Sequence, residues 1–193
     1  MFEILVMEKW KKQTLKLKAN HRWRAKPGYQ ICVIGRGAVR FDFPQEWIME
    51  PDEVSFKFYD RLHPDDDVRA EVSYNRIPPV DWSGLPLAQL LDDVVAGEHR
   101  EVASKGEITS VERDGMRLVW TEIAFQDPVE KREARSRICI AIGTAVQALI
   151  TLDYWPEDAG RAVPAWDEAL RTLKLEQYVG NPTRGDVQKP RLN

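Results

Sequence analysis

The chain's three histidines, His21, His63 and His99, stand far apart in polar surroundings. A zinc-binding helix needs two histidines four residues apart on one face, and no such pair is present. His63 is followed by Asp65, Asp66 and Asp67, whose carboxylates are the hard oxygen donors that calcium or magnesium prefers. That run lacks the glycine and the distal glutamate of a calcium loop, so it reads as a solvated acidic turn. No Gly-x-Ser-x-Gly elbow presents a nucleophile, and no Gly-Lys-Ser/Thr loop is shaped for a phosphate. Gly35-Arg36-Gly37 lacks the third glycine and the following helix of a dinucleotide site. Glu98, Glu101, Glu107 and Glu112 fall at helix-end and strand positions where solvated charge is ordinary, whereas paired-carboxylate catalysis needs two acids at a set separation. Cys32 and Cys139 lie in the apolar runs Ile31–Ile34 and Ile138–Ile140 without a Cys-x-x-Cys neighbour. They read as small buried hydrophobes, not redox or zinc groups. No catalytic, cofactor-binding or metal-binding residue is assigned, and no cofactor is expected.

Charge is distributed unevenly. The 193 residues carry a net charge of −3, yet residues 1–40 hold ten Lys and Arg against two Glu. A basic end on an acidic body either meets an anionic partner or pairs with that body, and internal pairing is the preferred reading. A composition of 43% hydrophobic and 31% charged residues fits a folded chain and argues against disorder. No apolar run reaches the length of a membrane helix. Met1–Glu8 lacks the basic flank and cleavage site of a signal peptide. A cytoplasmic chain without membrane insertion is therefore expected.

The elements that would position these residues follow from apolar periodicity. Leu15 and Leu17 alternate with Lys16 and Lys18 in residues 10–18, the pattern of a half-exposed strand. Tyr29–Ile34 and Ala38–Phe43 flank Gly35-Arg36-Gly37 as a hairpin. Val54, Phe56 and Phe58 mark another strand, and Val68, Ala70, Val72 and Tyr74 a further one. A helix is expected over residues 85–96, with Ser83 as its cap, Pro86 in its first turn and Gly97 closing it. Four strands follow, the first two joined by the hairpin signal Asp114-Gly115 and the last two across Gly143-Thr144. The runs Arg137–Ile142 and Val146–Leu152 are apolar on both faces and need cover on both sides. The last helix is expected over residues 164–173, with Trp166, Leu170 and Leu173 facing inward. Residues 176–193 are expected to form a loose tail, in which Arg184-Gly185-Asp186 is a coincidental triplet. Of the seven tryptophans, Trp120 and Trp166 are expected in the core. Trp10, Trp23, Trp47, Trp82 and Trp155 are expected to cap it.

This order of hairpins, helix, four-stranded meander and terminal helix resembles the PsbP-like superfamily. The likeness is carried by Phe41–Trp47, Pro86–Leu91, Gly115–Thr121, Leu149–Trp155 and Trp166–Leu173, and spans residues 38–175. The superfamily includes PsbP subunits of photosystem II, a Ran-binding nuclear import factor, DcrB-like bacterial proteins and effector-loading chaperones of type VI secretion. The resemblance implies an α+β fold: a mostly antiparallel sheet with helices packed on its faces, an α/β/α sandwich in a cytoplasmic bacterial member. Residues 1–175 would form one domain, with 1–37 a basic extension joining the sheet. It also implies a non-catalytic, protein-binding accessory or chaperone-like role with another protein as partner, and no residue-level site is carried over. The alternatives are an enzyme whose pocket is built from dispersed residues, and binding of a nucleic acid or anionic surface through the basic segment. Nucleic acid is the less favoured partner.

Overall fold

The computed structural model describes residues 16–187. The elements in chain order are β1 (Tyr29–Ile34), β2 (Val39–Pro44), β3 (Ile48–Pro51), β4 (Phe56–Tyr59), β5 (Val68–Arg76), α1 (Leu87–Ala96), β6 (Glu101–Lys105), β7 (Thr109–Arg113), β8 (Met116–Gln126), β9 (Glu133–Ile142) and β10 (Val146–Tyr154). A 3-10 turn (Pro156–Asp158), α2 (Ala159–Thr172), β11 (Lys174–Leu175), β12 (Val179–Asn181) and β13 (Asp186–Val187) complete it. Eight strands form an antiparallel sheet in the order β3-β4-β5-β10-β9-β8-β6, with β7 also paired to β8. A smaller sheet, β1-β2-β11, packs beside α2, and β12 pairs with β13. The fold is α+β with helices on both faces of the main sheet, as the sequence pattern implies.

Strand β9 explains the layering. Ile138, Ile140 and Ile142 point to one face, where Leu87, Leu91 and Val95 of α1 meet them with Ile123. Cys139 and Ala141 point to the other face, which holds Trp166 and Leu170 of α2 with Phe41, Phe58 and Leu152. Each fully buried aliphatic side chain contributes about 1.5–3 kcal/mol, so α1 is held by its stripe more than by its caps. Both cysteines are free and buried. Trp166 is buried and stacks edge-on with Trp120 at 5.8 Å. Trp47 is buried, while Trp23, Trp82 and Trp155 are half-buried; Trp10 lies outside the described residues.

Several local expectations are revised. Pro86, not Ser83, stands at the N-cap of α1, and no side chain caps that end. Helix α2 begins at Ala159, so Pro164 sits inside it. The acidic 3-10 turn carrying Glu157 and Asp158 starts the helix earlier, where negative charge suits a helix N-terminus. Val54 is exposed in a turn, and Ser55 turns inward to donate to Glu71 at 2.6 Å. Residues 10–15 of the expected first strand lie outside the described residues, and residues 16–18 are not strand, with Leu17 exposed. Within the basic segment, Tyr29–Ile34 forms β1 of the small sheet. Residues 176–187, expected loose, form the β12–β13 hairpin and pack against residues 18–23.

Candidate functional site

Alternation along β1 and β2 divides the small sheet into two faces. Cys32, Ile34, Val39, Phe41 and Phe43 enter the core. Ile31, Val33, Arg40 and Asp42 therefore take the outer face. The register sets Ile31 opposite Asp42 and Val33 opposite Arg40, and Lys174 of β11 flanks Arg40 on the far side. An apolar row thus runs beside a charged one.

Residues 17–26 fold back across this face and are fastened there. The Lys18 amide donates to the Thr183 carbonyl at 3.0 Å and the Arg22 amide to the Arg184 carbonyl at 2.7 Å. The Trp23 indole N–H donates to the Pro182 carbonyl at 2.7 Å, and the Arg40 guanidinium lies 5.5 Å from the Trp23 ring. Gly185, at φ +71°, lies buried under the indole, where a Cβ would stand 2.8 Å from the ring. Only glycine combines that backbone conformation with that approach, which gives the Arg184-Gly185-Asp186 triplet a packing role. Gly37, at φ +105°, is likewise pressed against the Gln177 backbone.

Two depressions result, and Ala25 lines both. Leu17, Trp23, Ala25, Ile31 and Val33 line an apolar groove of about 300 Å³. Arg24, Lys26, Arg40, Arg113, Arg171 and Lys174 surround a second of about 460 Å³, with Asp42 and Asp114. Glu168, buried, occupies two of these cations: Arg171 clasps it through bonds of 2.7 and 2.8 Å, and Lys26 approaches to 3.7 Å. Arg171 holds the Glu168 carboxyl below its usual range. Arg24, Arg40, Arg113 and Lys174 have no ion pair among the described residues. Arg113 instead donates to the Leu170 carbonyl near the end of α2, where a cation suits the helix dipole.

Asp42 is the unusual member. It is 3% exposed, and its Oδ1 accepts no hydrogen bond among the described residues. Burial raises its carboxyl above the ordinary range; Arg40 and Arg171 pull it back and Glu168 adds to the rise.

The other charged clusters are closed within the protein. Glu122 accepts from Tyr154 at 2.6 Å, Arg137 at 2.7 Å and Arg135 at 3.3 Å. Burial pushes its carboxyl up, and the hydrogen bonds from Tyr154 and Arg137 outweigh this and leave it low. Asp60 accepts the Asp67 and Val68 amides at 3.0 and 3.1 Å and Arg161 at 2.5 Å, tying the β4–β5 turn to α2. His63 contacts Asp66 at 3.0 Å, while Asp67 pairs with Arg61 and Arg161, so the acidic run does not converge. No metal-binding group of His, Cys, Asp or Glu occurs among the described residues, and no helix there is long and apolar enough to cross a membrane.

Sequence reasoning missed Asp42, Arg113 and Lys174, because the site gathers residues from four separated segments. The excess of Lys and Arg before residue 41 was its one signal. Part of that excess does pair internally, as Lys26 with Glu168 and Arg22 with Asp186 at 3.5 Å. Arg24 and Arg40 have no ion pair among the described residues.

The layered sheet with α1 on one face and α2 on the other has a PsbP-like fold. Among solved structures it resembles the cyanobacterial PsbP (CyanoP) of Synechocystis sp., with a TM-score of 0.53 and 15% identity over 78% of this chain and 94% of that one. It also resembles LpqN of Mycobacterium tuberculosis, a protein involved in cell envelope biogenesis, with a TM-score of 0.52 and 10% identity over 76% and 90%. At this identity the likeness concerns the fold. The Alr1449 family model matches residues 30–179, and the uncharacterized protein alr1449 of Nostoc sp. is 50% identical over 177 residues, 91% of this chain and 92% of that protein. The chain belongs to the Alr1449 family.

Proposed function

We propose that the chain is a non-catalytic accessory or chaperone-like domain that binds another protein in the cytoplasm, with residues 1–175 acting as one body. The outer face of the β1-β2-β11 sheet is the binding face. The observation that carries this reading is the apolar groove sharing Ala25 with a depression lined by four cations that form no ion pair among the described residues. Protein interfaces combine an apolar centre with a polar rim and favour Trp and Arg, and Trp23 stands here with Arg24 and Arg40. The enzyme alternative has less support: Glu122, Asp60 and Glu168 are each held by arginine, which leaves Asp42, buried and without an ion pair among the described residues, as the carboxylate a dispersed active site would have to use.

A photo-crosslinking residue at Val33, compared with one at the distant, exposed Val129, tests the reading in cells of the native host. Stoichiometric capture of one protein from Val33 and not from Val129 is the expected result. Equal capture from both positions, or none from Val33, refutes it.

A further inference from the structure

We infer that the occupant of this face is an acidic segment of the partner protein that also carries apolar side chains, and that Asp42 selects such a segment over a nucleic acid. The inference rests on the binding-domain reading and adds the ligand's chemistry. The groove lined by Leu17, Trp23, Ile31 and Val33 has the size and polarity for an apolar side chain. Beside it, Arg24, Arg40 and Arg113 hydrogen-bond neutral acceptors, the His21, Trp23 and Leu170 carbonyls and Gln177, so their charge, with that of Lys174, favours an anion in the depression. Complementary charge of this kind steers encounter and fixes orientation.

Charge alone would accept any polyanion, and Asp42 narrows the choice. Its carboxylate lines the cationic depression, is almost wholly buried, and has an oxygen that accepts no hydrogen bond among the described residues. A buried acceptor without a donor is unfavourable, and a ligand that displaces the side chains covering it and supplies the donor relieves it. The phosphates along a nucleic acid backbone present acceptor oxygens, so they repel Asp42, as peptide carboxylates do, and offer it no donor; the donors of a nucleic acid lie on its bases, away from the phosphates. A polypeptide places a backbone N–H at nearly every residue, between its own carboxylates. Donors for carboxylates, one acceptor for an amide and an apolar groove together fit an acidic peptide.

Fluorescence anisotropy with the full chain tests this using four probes: a short peptide of alternating Glu and Leu, an oligoglutamate, an oligothymidylate of matching length, and phosphatidylglycerol vesicles. The Glu/Leu peptide is expected to bind most tightly, by about tenfold over the oligothymidylate. Val33→Glu should weaken the Glu/Leu peptide about tenfold. The double variant R40E/K174E should weaken both peptides. Asp42→Val should weaken the Glu/Leu peptide about fivefold while leaving or improving oligothymidylate binding, with a melting temperature at or above the parent's. Should that variant fail to fold, Asp42→Asn replaces it: loss of the charge should improve oligothymidylate binding while the amide oxygen retains the peptide. Equal or tighter binding of the oligothymidylate or the vesicles overturns the inference, as does an Asp42 variant that shifts all probes alike. If Val33 captures a stoichiometric partner through a segment without acidic residues, the binding-domain reading stands and this inference falls. If Val33 captures nothing, the reading itself fails.

Discussion

Replacing Asp42 with asparagine should stabilise the protein at neutral pH. The parent side chain is 3% exposed, its Oδ1 has no donor among the described residues, and Arg40 and Arg171 influence it without forming an ion pair. An unsatisfied buried polar group costs about 1–3 kcal/mol, more when charged. Asparagine keeps the shape and removes the charge, and the two nearby arginines offset part of the parent's cost. The gain should therefore be about 1–2 kcal/mol, or a rise of about 2–8 °C in melting temperature for a chain of this size. Its pH dependence is diagnostic. Burial raises this carboxyl in the fold, so the parent's penalty is fully present above the raised value. It shrinks as pH falls through that value and vanishes below the unfolded-state value of about 4. Urea unfolding of both proteins between pH 3 and 8 measures the difference. A variant that is less stable at pH 7, or a gain unchanged by pH, would show that the carboxylate is already answered within the protein and would refute the reasoning.

Other consequences are equally direct. Leu91→Ala, at a fully buried position of α1 against Ile123 and Ile138, should cost about 2–5 kcal/mol in urea unfolding. Glu122→Gln should cost about 1–3 kcal/mol at pH 7, toward the lower end because the side chain is 25% exposed. Because Glu122 is held below the ordinary carboxylate range, its contribution is full above about pH 4 and fades as pH falls through its lower folded value; the variant should lack that acid-side loss. Burial pushes the Cys32 thiol up to about 12 and raises Cys139 as well, so both should react with Ellman's reagent only as the protein unfolds. Gly185→Ala should displace the Trp23 indole, shifting its emission and weakening the Glu/Leu peptide while the main sheet keeps its circular dichroism.

The legible parts of the fold were those written in local chemistry. Asp114 and Gly115 both adopt positive φ, 51° and 72°, as a tight hairpin turn requires. The alternating apolar residues of β5 and β8, the helical stripe of α1 and the doubly apolar β9 needed no tertiary information. Strands β3 and β6 were missed because Ile48–Pro51 and Glu101–Lys105 are short and mostly exposed. Pairing with β4 and β8 makes them strands, and pairing is non-local. The sequence places the start of α2 at Pro164 because proline favours a first turn, whereas the helix begins earlier, at Ala159. The site was the least legible of all. Asp42 looked like one polar position in an alternating strand, and only tertiary packing places Arg113, Arg171 and Lys174 beside it.

Strand β9 has a mechanical consequence. Five consecutive side chains, Ile138 to Ile142, serve alternately as wall to one interior and wall to the other. Neither side of the molecule can melt by itself, since loosening either pulls out the strand that the opposite side is built upon. Damage beneath α1 should therefore be felt across the sheet as a lower midpoint of one shared unfolding transition, far from where it was made.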